Sequence, residues 1–270
     1  MDPASQPDRP TDEEILRFER SIKEQETGNQ PLVSELLGFE GLRAEYQSGL
    51  EAFRSKVEQL AESHMGLRTI KKDGNCFYRA FAFRFCELVW KNAGTDWASV
   101  MLNRAIASQA LMAEMGYDMN LLEEFWDCFA EALKPHGKTP EDLLTIFQTD
   151  YLSDTIVCYL RLVTAAVLKK HAEMYEGFVL DSYPSLTAFI SAQVEPMNVE
   201  SDQIHIVCMA NVFGVDVKIA NLDPTEGSDG AVLNFHEITP MDAVGIDEKD
   251  RPKVVLLYRP GHYDVLYPRA

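Results

Sequence analysis

Residues 76–89, CFYRAFAFRFCELV, are apolar around almost the whole circumference of a helix, and no other stretch restricts the fold of this chain more. Phe77, Ala80, Phe81, Phe85 and Leu88 recur at helical spacing on one face, while Ala82, Phe83, Cys86 and Val89 fill much of the remainder. Such a helix cannot lie on a surface and must run through the middle of a core. The chain is large enough to surround it: 270 residues, 46% apolar and 10% aromatic, suit one large domain with an appendage. The residues before the helix, KKDGN, are polar and turn-forming. Cys76 therefore falls at the junction of a tight turn and a buried helix, an odd place for an inert core thiol.

Along the rest of the chain, helices come first and strands last. Residues 1–10 are rich in Pro and Asp and are expected to be disordered. TDEE, residues 11–14, has the capping-box form that opens a helix ending near Gly28 and Asn29, so residues 11–40 read as an arm helix and linker and residues 41–270 as the main domain. Helical patterns follow from Tyr46 to Ser63 and near 76–90, 97–115, 120–134, 140–149, 152–175 and 185–194, punctuated by Pro140, Pro184 and Pro196. GLRTI, residues 66–70, reads as a short extended segment. VDVKIA, VLNFHEI, KVVLLY and YDVLY, between 215 and 267, are β-branched or aromatic runs. The expected class is α+β, a small antiparallel sheet flanked by helices with an N-terminal helical arm.

Charge and cysteine usage narrow the function. A net charge of −18 opposes nucleic-acid binding, because phosphates would be repelled. Residues 111–154 hold ten carboxylates against two lysines, either as solvated helix faces or as a surface for a basic partner. By contrast Arg68, Lys71, Lys72 and Arg79 face only Asp73 in residues 65–79. Five cysteines form no CxxC pair, which suggests neither a disulfide framework nor a zinc site and fits the cytoplasm, with the nucleus as an alternative. No apolar run approaches the roughly 20 residues of a membrane span, and the N-terminus lacks signal-peptide features.

Cys76 and the chain's last segment together suggest chemistry. Asn75 is the expected N-cap and Cys76 the first turn, where the helix dipole, with Lys71, Lys72 and Arg79, would favour a thiolate. Gly74 permits a tight turn, so that the amides of Gly74, Asn75 and Cys76 could face a developing oxyanion. In RPGHYDVLY, residues 259–267, His262 and Asp264 lie two apart on a predicted strand. Strand periodicity puts both on one face, where the carboxylate can fix the imidazole tautomer that accepts a thiol proton. Pro260 and Gly261 supply the turn before them.

DGNCFYRAF (73–81) with YRPGHYDVLY (258–267) resembles the catalytic signature of the ovarian-tumour (OTU) class of deubiquitinases, specifically the otubains. Similarity continues in QPLVSE (30–35), YLRLVTA (159–165) and VEPMNVESDQIHI (194–206). The resemblance implies a papain-like fold, Cys76 as nucleophile, His262 as general base, Asp264 as its orienting acid, and Asp73 with the following loop as the oxyanion region. It implies hydrolysis of isopeptide bonds after the Gly-Gly of ubiquitin, preferentially in chains joined through lysine forty-eight, by a monomer needing no metal or cofactor. Ubiquitin and polyubiquitin would be its partners, with Ser201, Asp202, Ile204 and His205 near bound ubiquitin. The alternative is a non-catalytic regulator that restrains a ubiquitin-conjugating enzyme through the arm, whose apolar stripe Ile15, Phe18 and Ile22 is too thin for a buried helix and is expected to meet a second ubiquitin.

Competing signals are weaker. His205 and Cys208 have a metal-like spacing without a second pair, and the apolar residues around them suggest core packing. Trp90, Trp97 and Trp126 read as core aromatics.

Overall fold

The structure is a computed structural model that describes residues 28, 30–135, 139–225, 230–243 and 251–269. It divides into two compact units, residues 1–30 and 31–270, of which the second is described below. The readings made for residues 1–10 and for the arm stripe Ile15, Phe18 and Ile22 lie outside the described residues.

The strands form one five-stranded sheet in the order β1-β5-β4-β2-β3, with β1 His64–Arg68, β2 Asp216–Asn221, β3 Asn234–Ile238, β4 Lys253–Arg259 and β5 His262–Pro268. Every neighbouring pair is antiparallel except β2 and β4, which run parallel from Asp216 opposite Lys253 to Asn221 opposite Tyr258. The expected all-antiparallel sheet is thus mixed. Strand patterns specify faces, whereas relative direction depends on where the intervening chain returns. The α+β class stands.

Both faces of the sheet are covered. On β4, Val254 and Leu256 point into the main core, while Val255 and Leu257 enter a second core, which explains why KVVLLY is apolar without alternation. The second core is closed by α1 (Glu40–Tyr46) and α2 (Glu51–Ser63) through Phe39, Leu42, Val57 and Leu60. Residues 31–40, expected as linker, belong to this body: Val33 bridges to Ile70 and Leu37 to Leu67.

The main core surrounds α3 (Cys76–Lys91), which packs on β4 and β5. Phe77, Phe81 and Phe85 are inaccessible to solvent, each contributing about 2–3 kcal/mol of apolar burial. Around it stand α4 (Asp96–Glu114), α5 (Glu123–Leu133), α6 (Pro140–Gln148) and α7 (Asp150–Lys170). Trp97 is buried and Trp90 and Trp126 are partly so, all three against this core. Contrary to the sequence reading, α7 is long and apolar enough by composition to cross a membrane. Of that window 72% is buried within the protein, so its apolarity is that of a core helix.

The short helix α8 (Ala172–Tyr175) follows, then a 3₁₀ turn, then α9 (Leu186–Phe189), which continues into a π turn, Ile190–Val194. A loop then leads to α10 (Gln203–Phe213). His205 and Cys208 are buried on α10, as core packing requires.

Candidate active site

Cys76 opens α3 and is 3% exposed. Asn75 occupies the N-cap position but its side chain does not cap the helix. Its Oδ1 instead accepts from the Asn198 amide at 2.8 Å, and its Nδ2 donates to Asn198 Oδ1 at 2.9 Å. The side chain is diverted because it ties the turn to a loop more than a hundred residues away. Asp73 braces the same turn. Its Oδ1 accepts from the Asn75 amide at 2.8 Å, and its Oδ2 from Arg79 Nη1 at 2.7 Å.

Two readings change accordingly. The Asn75 amide is committed to Asp73 and is not available to an oxyanion, whereas the Gly74 and Cys76 amides carry no hydrogen bond among the described residues. Arg79 is fully buried and each of its three nitrogens donates, to Ser153, Asp73 and Asp154, so it organises the turn rather than the thiol. Lys71 is half-buried and Lys72 exposed.

Gly74 has φ +87°, and a Cβ there would stand 2.3 Å from the Asn198 carbonyl oxygen. Gly74→Ala is expected to cost about 2 kcal/mol or more through the left-handed backbone alone, and to displace the turn. Thermal melting should fall by several degrees and hydrolysis with it. An unchanged melting curve and rate would show that the turn is not constrained.

His262 begins β5 directly after the Pro260–Gly261 turn, in which Gly261 has φ +74°. Its Nε2 lies 2.8 Å from Asp264 Oδ1. The other nitrogen, Nδ1, is buried without a hydrogen-bond partner among the described residues, and the Cys76 thiol acts to strengthen the imidazole's hold on its proton. Burial opposes protonation of His262, but the hydrogen bond and charge of Asp264, together with Cys76, outweigh it and lift the pKa to about 9. Burial likewise opposes ionisation of Asp264. The His262 hydrogen bond, the charges of His262 and Arg259 and the Ile70 amide prevail, keeping this carboxyl below the usual range.

The supports of Asp264 were not evident from local pattern. The Ile70 amide donates to Oδ1 at 2.8 Å, and Arg259 Nη2 donates to Oδ2 at 2.6 Å. Arg259 Nη1 in turn meets both oxygens of Glu45, at 2.9 and 2.7 Å. An Arg one turn before the histidine is the only local signal for this relay.

Burial raises the thiols of Cys128, Cys158 and Cys208, the last to about 12. Among the described residues no cluster of three or more His, Cys, Asp or Glu side chains could hold a metal ion.

The residues expected near ubiquitin fall into two sets. Asp202 and Ile204 line a cavity of about 420 Å³ with Tyr175, Phe178, Tyr183 and Phe189. Ser201 and His205 do not line it. The Ser201 Oγ is buried without a partner among the described residues, and His205 Nδ1 accepts from the Asp202 amide at 2.9 Å as the third residue of a capping box. Burial pushes the His205 pKa down to about 4.

A thiol at a helix start, an imidazole whose tautomer is fixed by a buried carboxylate, and unpaired amides beside the thiol constitute the parts of a cysteine acyl-transfer centre. The peptidase C65 otubain family model matches residues 25–268. A deubiquitinating enzyme with an ovarian tumour domain from Arabidopsis thaliana is 33% identical, with 92% of this chain and 85% of that protein aligned. Ubiquitin thioesterase OTUB1 of Homo sapiens is 32% identical over 95% and 90% of the two chains. A solved complex of h/ceOTUB1 with ubiquitin aldehyde and UBC13~Ub superposes with a TM-score of 0.81 at 29% identity, covering 96% of this chain and 99% of that one. The chain belongs to the peptidase C65 otubain family of cysteine-type deubiquitinases.

Proposed function

We propose that this otubain hydrolyses the isopeptide bond after the C-terminal Gly-Gly of ubiquitin, with Cys76 as nucleophile. The observation that carries this reading is His262, bound through Nε2 to buried Asp264 and left with Nδ1 for the thiol. The Cys76 thiolate attacks the carbonyl carbon, and negative charge moves to the carbonyl oxygen beside the Gly74 and Cys76 amides. Protonated His262 gives its proton to the departing lysine amine, releasing it and leaving a thioester. Water, deprotonated by His262, then attacks the thioester and restores the thiol. Asp264 keeps the imidazole oriented and supports its charge. No metal or organic cofactor takes part in these steps, and the setting is a reducing compartment, the cytoplasm or nucleus, where the protein acts as a monomer.

Chains joined through lysine forty-eight are the preferred substrate in this proposal, a preference that rests on family resemblance. A second reading, restraint of a ubiquitin-conjugating enzyme through residues 11–28, is favoured by relatives solved with UBC13~Ub and UBCH5B~Ub. One panel addresses both. Each diubiquitin linkage is incubated at a single enzyme concentration with the full chain and with a chain lacking residues 1–28. The expected result is selective cleavage by the full chain, a raised KM after truncation and loss of any inhibition of a conjugating enzyme. Equal cleavage of all linkages would remove the preference, and an unaltered truncated chain would remove the arm's role.

A further inference from the structure

Helix α7 is buried along most of its length, and Arg161 near its middle is inaccessible to solvent. Nη1 donates to the Val194 carbonyl at 3.1 Å. Nη2 donates to the Gly74 carbonyl at 2.9 Å, to Asn75 Oδ1 at 3.0 Å and to the Val199 carbonyl at 2.6 Å. The guanidinium also stands 4.8 Å from the centre of the Tyr78 ring, and its Nε is buried without a partner among the described residues. All four acceptors are neutral, and among the described residues no carboxylate is hydrogen-bonded to it.

A buried charge without an ionic partner is costly to a fold, so a purely structural role would be better served by an apolar side chain. Burial weakens the guanidinium's hold on its proton, while Tyr78, Asp73, Cys158 and Cys76 act in the opposite sense. Arginine nevertheless stays charged in proteins. Its acceptors lie on two segments, the turn before Cys76 and residues 194–199. The Gly74–Asn75 peptide is consequently held at both ends, its carbonyl by Arg161 and its N–H by Asp73. The flanking peptides carry the Gly74 and Cys76 amides, the two that remain for an oxyanion.

We propose that Arg161 is a positioning residue: by gripping the Gly74–Asn75 peptide and joining it to Val194 and Val199, it sets the oxyanion amides and makes their geometry depend on the 194–199 segment. Its positive charge, held on the turn that precedes Cys76, further favours the negative charge that develops there. This inference rests on the proposed ubiquitin hydrolase activity.

The test compares full-length wild type with Arg161→Lys, which keeps the charge but not the fork that spans four acceptors. Readouts are kcat and KM on diubiquitin, and affinities for ubiquitin and for ubiquitin aldehyde, whose adduct with a thiol carries oxygen where the oxyanion forms. The expected result is a fall in kcat of about tenfold to a hundredfold with KM nearly unchanged. Affinity for the aldehyde should fall by a similar factor while affinity for ubiquitin holds, the mark of an interaction exerted in the transition state. A parallel loss for both ligands, or an unaltered kcat, would overturn the proposal. If wild type itself fails to capture the aldehyde, the hydrolase reading fails instead. Should Arg161→Lys not fold, Asn75→Ala decides, since it removes the side-chain acceptor shared by Arg161 and Asn198. The same selective loss of aldehyde affinity is expected there, and its absence would count against Arg161.

Discussion

Cys76→Ala is expected to abolish hydrolysis, with a fall in kcat of about 10⁴-fold or more, while ubiquitin affinity changes by no more than a few-fold. In the proposed mechanism the thiol supplies the bond-forming electrons, yet it is only 3% exposed, so it offers a bound protein almost no contact area. Truncation also leaves the packing of α3 largely intact, because the helix is anchored by Phe77, Phe81 and Phe85 rather than by its first residue. Single-turnover cleavage and a binding isotherm on the same preparation check both halves. Residual hydrolysis near the wild-type rate would remove Cys76 from the chemistry.

Asp264→Asn is expected to reduce kcat/KM at pH 7 by about a hundredfold or more and to move the alkaline limb of the pH profile. In the wild type, His262 holds its proton up to about pH 9, so activity should decline above that value as the acid for the leaving amine is lost. Replacing the carboxylate by an amide leaves the burial and deletes the main opposing influences, so the limb should move toward the ordinary imidazole value of 6.5. The same raised pKa has a consequence for stability. The folded state binds the proton more tightly than the unfolded chain, so the stabilisation is fully present below about pH 6.5 and is lost as pH climbs through about 9. Chemical denaturation at a series of pH values should show that loss in the wild type and not in Asp264→Asn. An alkaline limb that stays in place in the variant would show that Asp264 does not govern His262.

The elements bearing the candidate site were readable because local pattern carried them. The apolar circumference of residues 76–89 required a central helix, and Pro260–Gly261 marked the turn that delivers His262. Spacing by two placed His262 and Asp264 on one face of a strand, and the structure joins them by a hydrogen bond. What stayed hidden depends on distant parts of the chain. The parallel pairing of β2 with β4 leaves no mark in either strand's composition. Asn75 has the residue type of an N-cap, but its hydrogen bonds go to Asn198, a partner that sequence proximity cannot suggest. Arg259 and Glu45 are ordinary surface-type residues until the fold sets one between the other and Asp264. Arg161 did leave a trace, a single cation amid the apolar run of α7, although such residues usually extend their charge to water.

The most direct measurement is reaction of the full-length chain with a ubiquitin probe bearing a C-terminal electrophile, followed by mass spectrometry of the intact protein and its peptides. One ubiquitin should add per chain, joined to the Cys76 sulfur, with Cys86, Cys128, Cys158 and Cys208 unmodified. No adduct, or one mapped to any other cysteine, would contradict the assignment of this site.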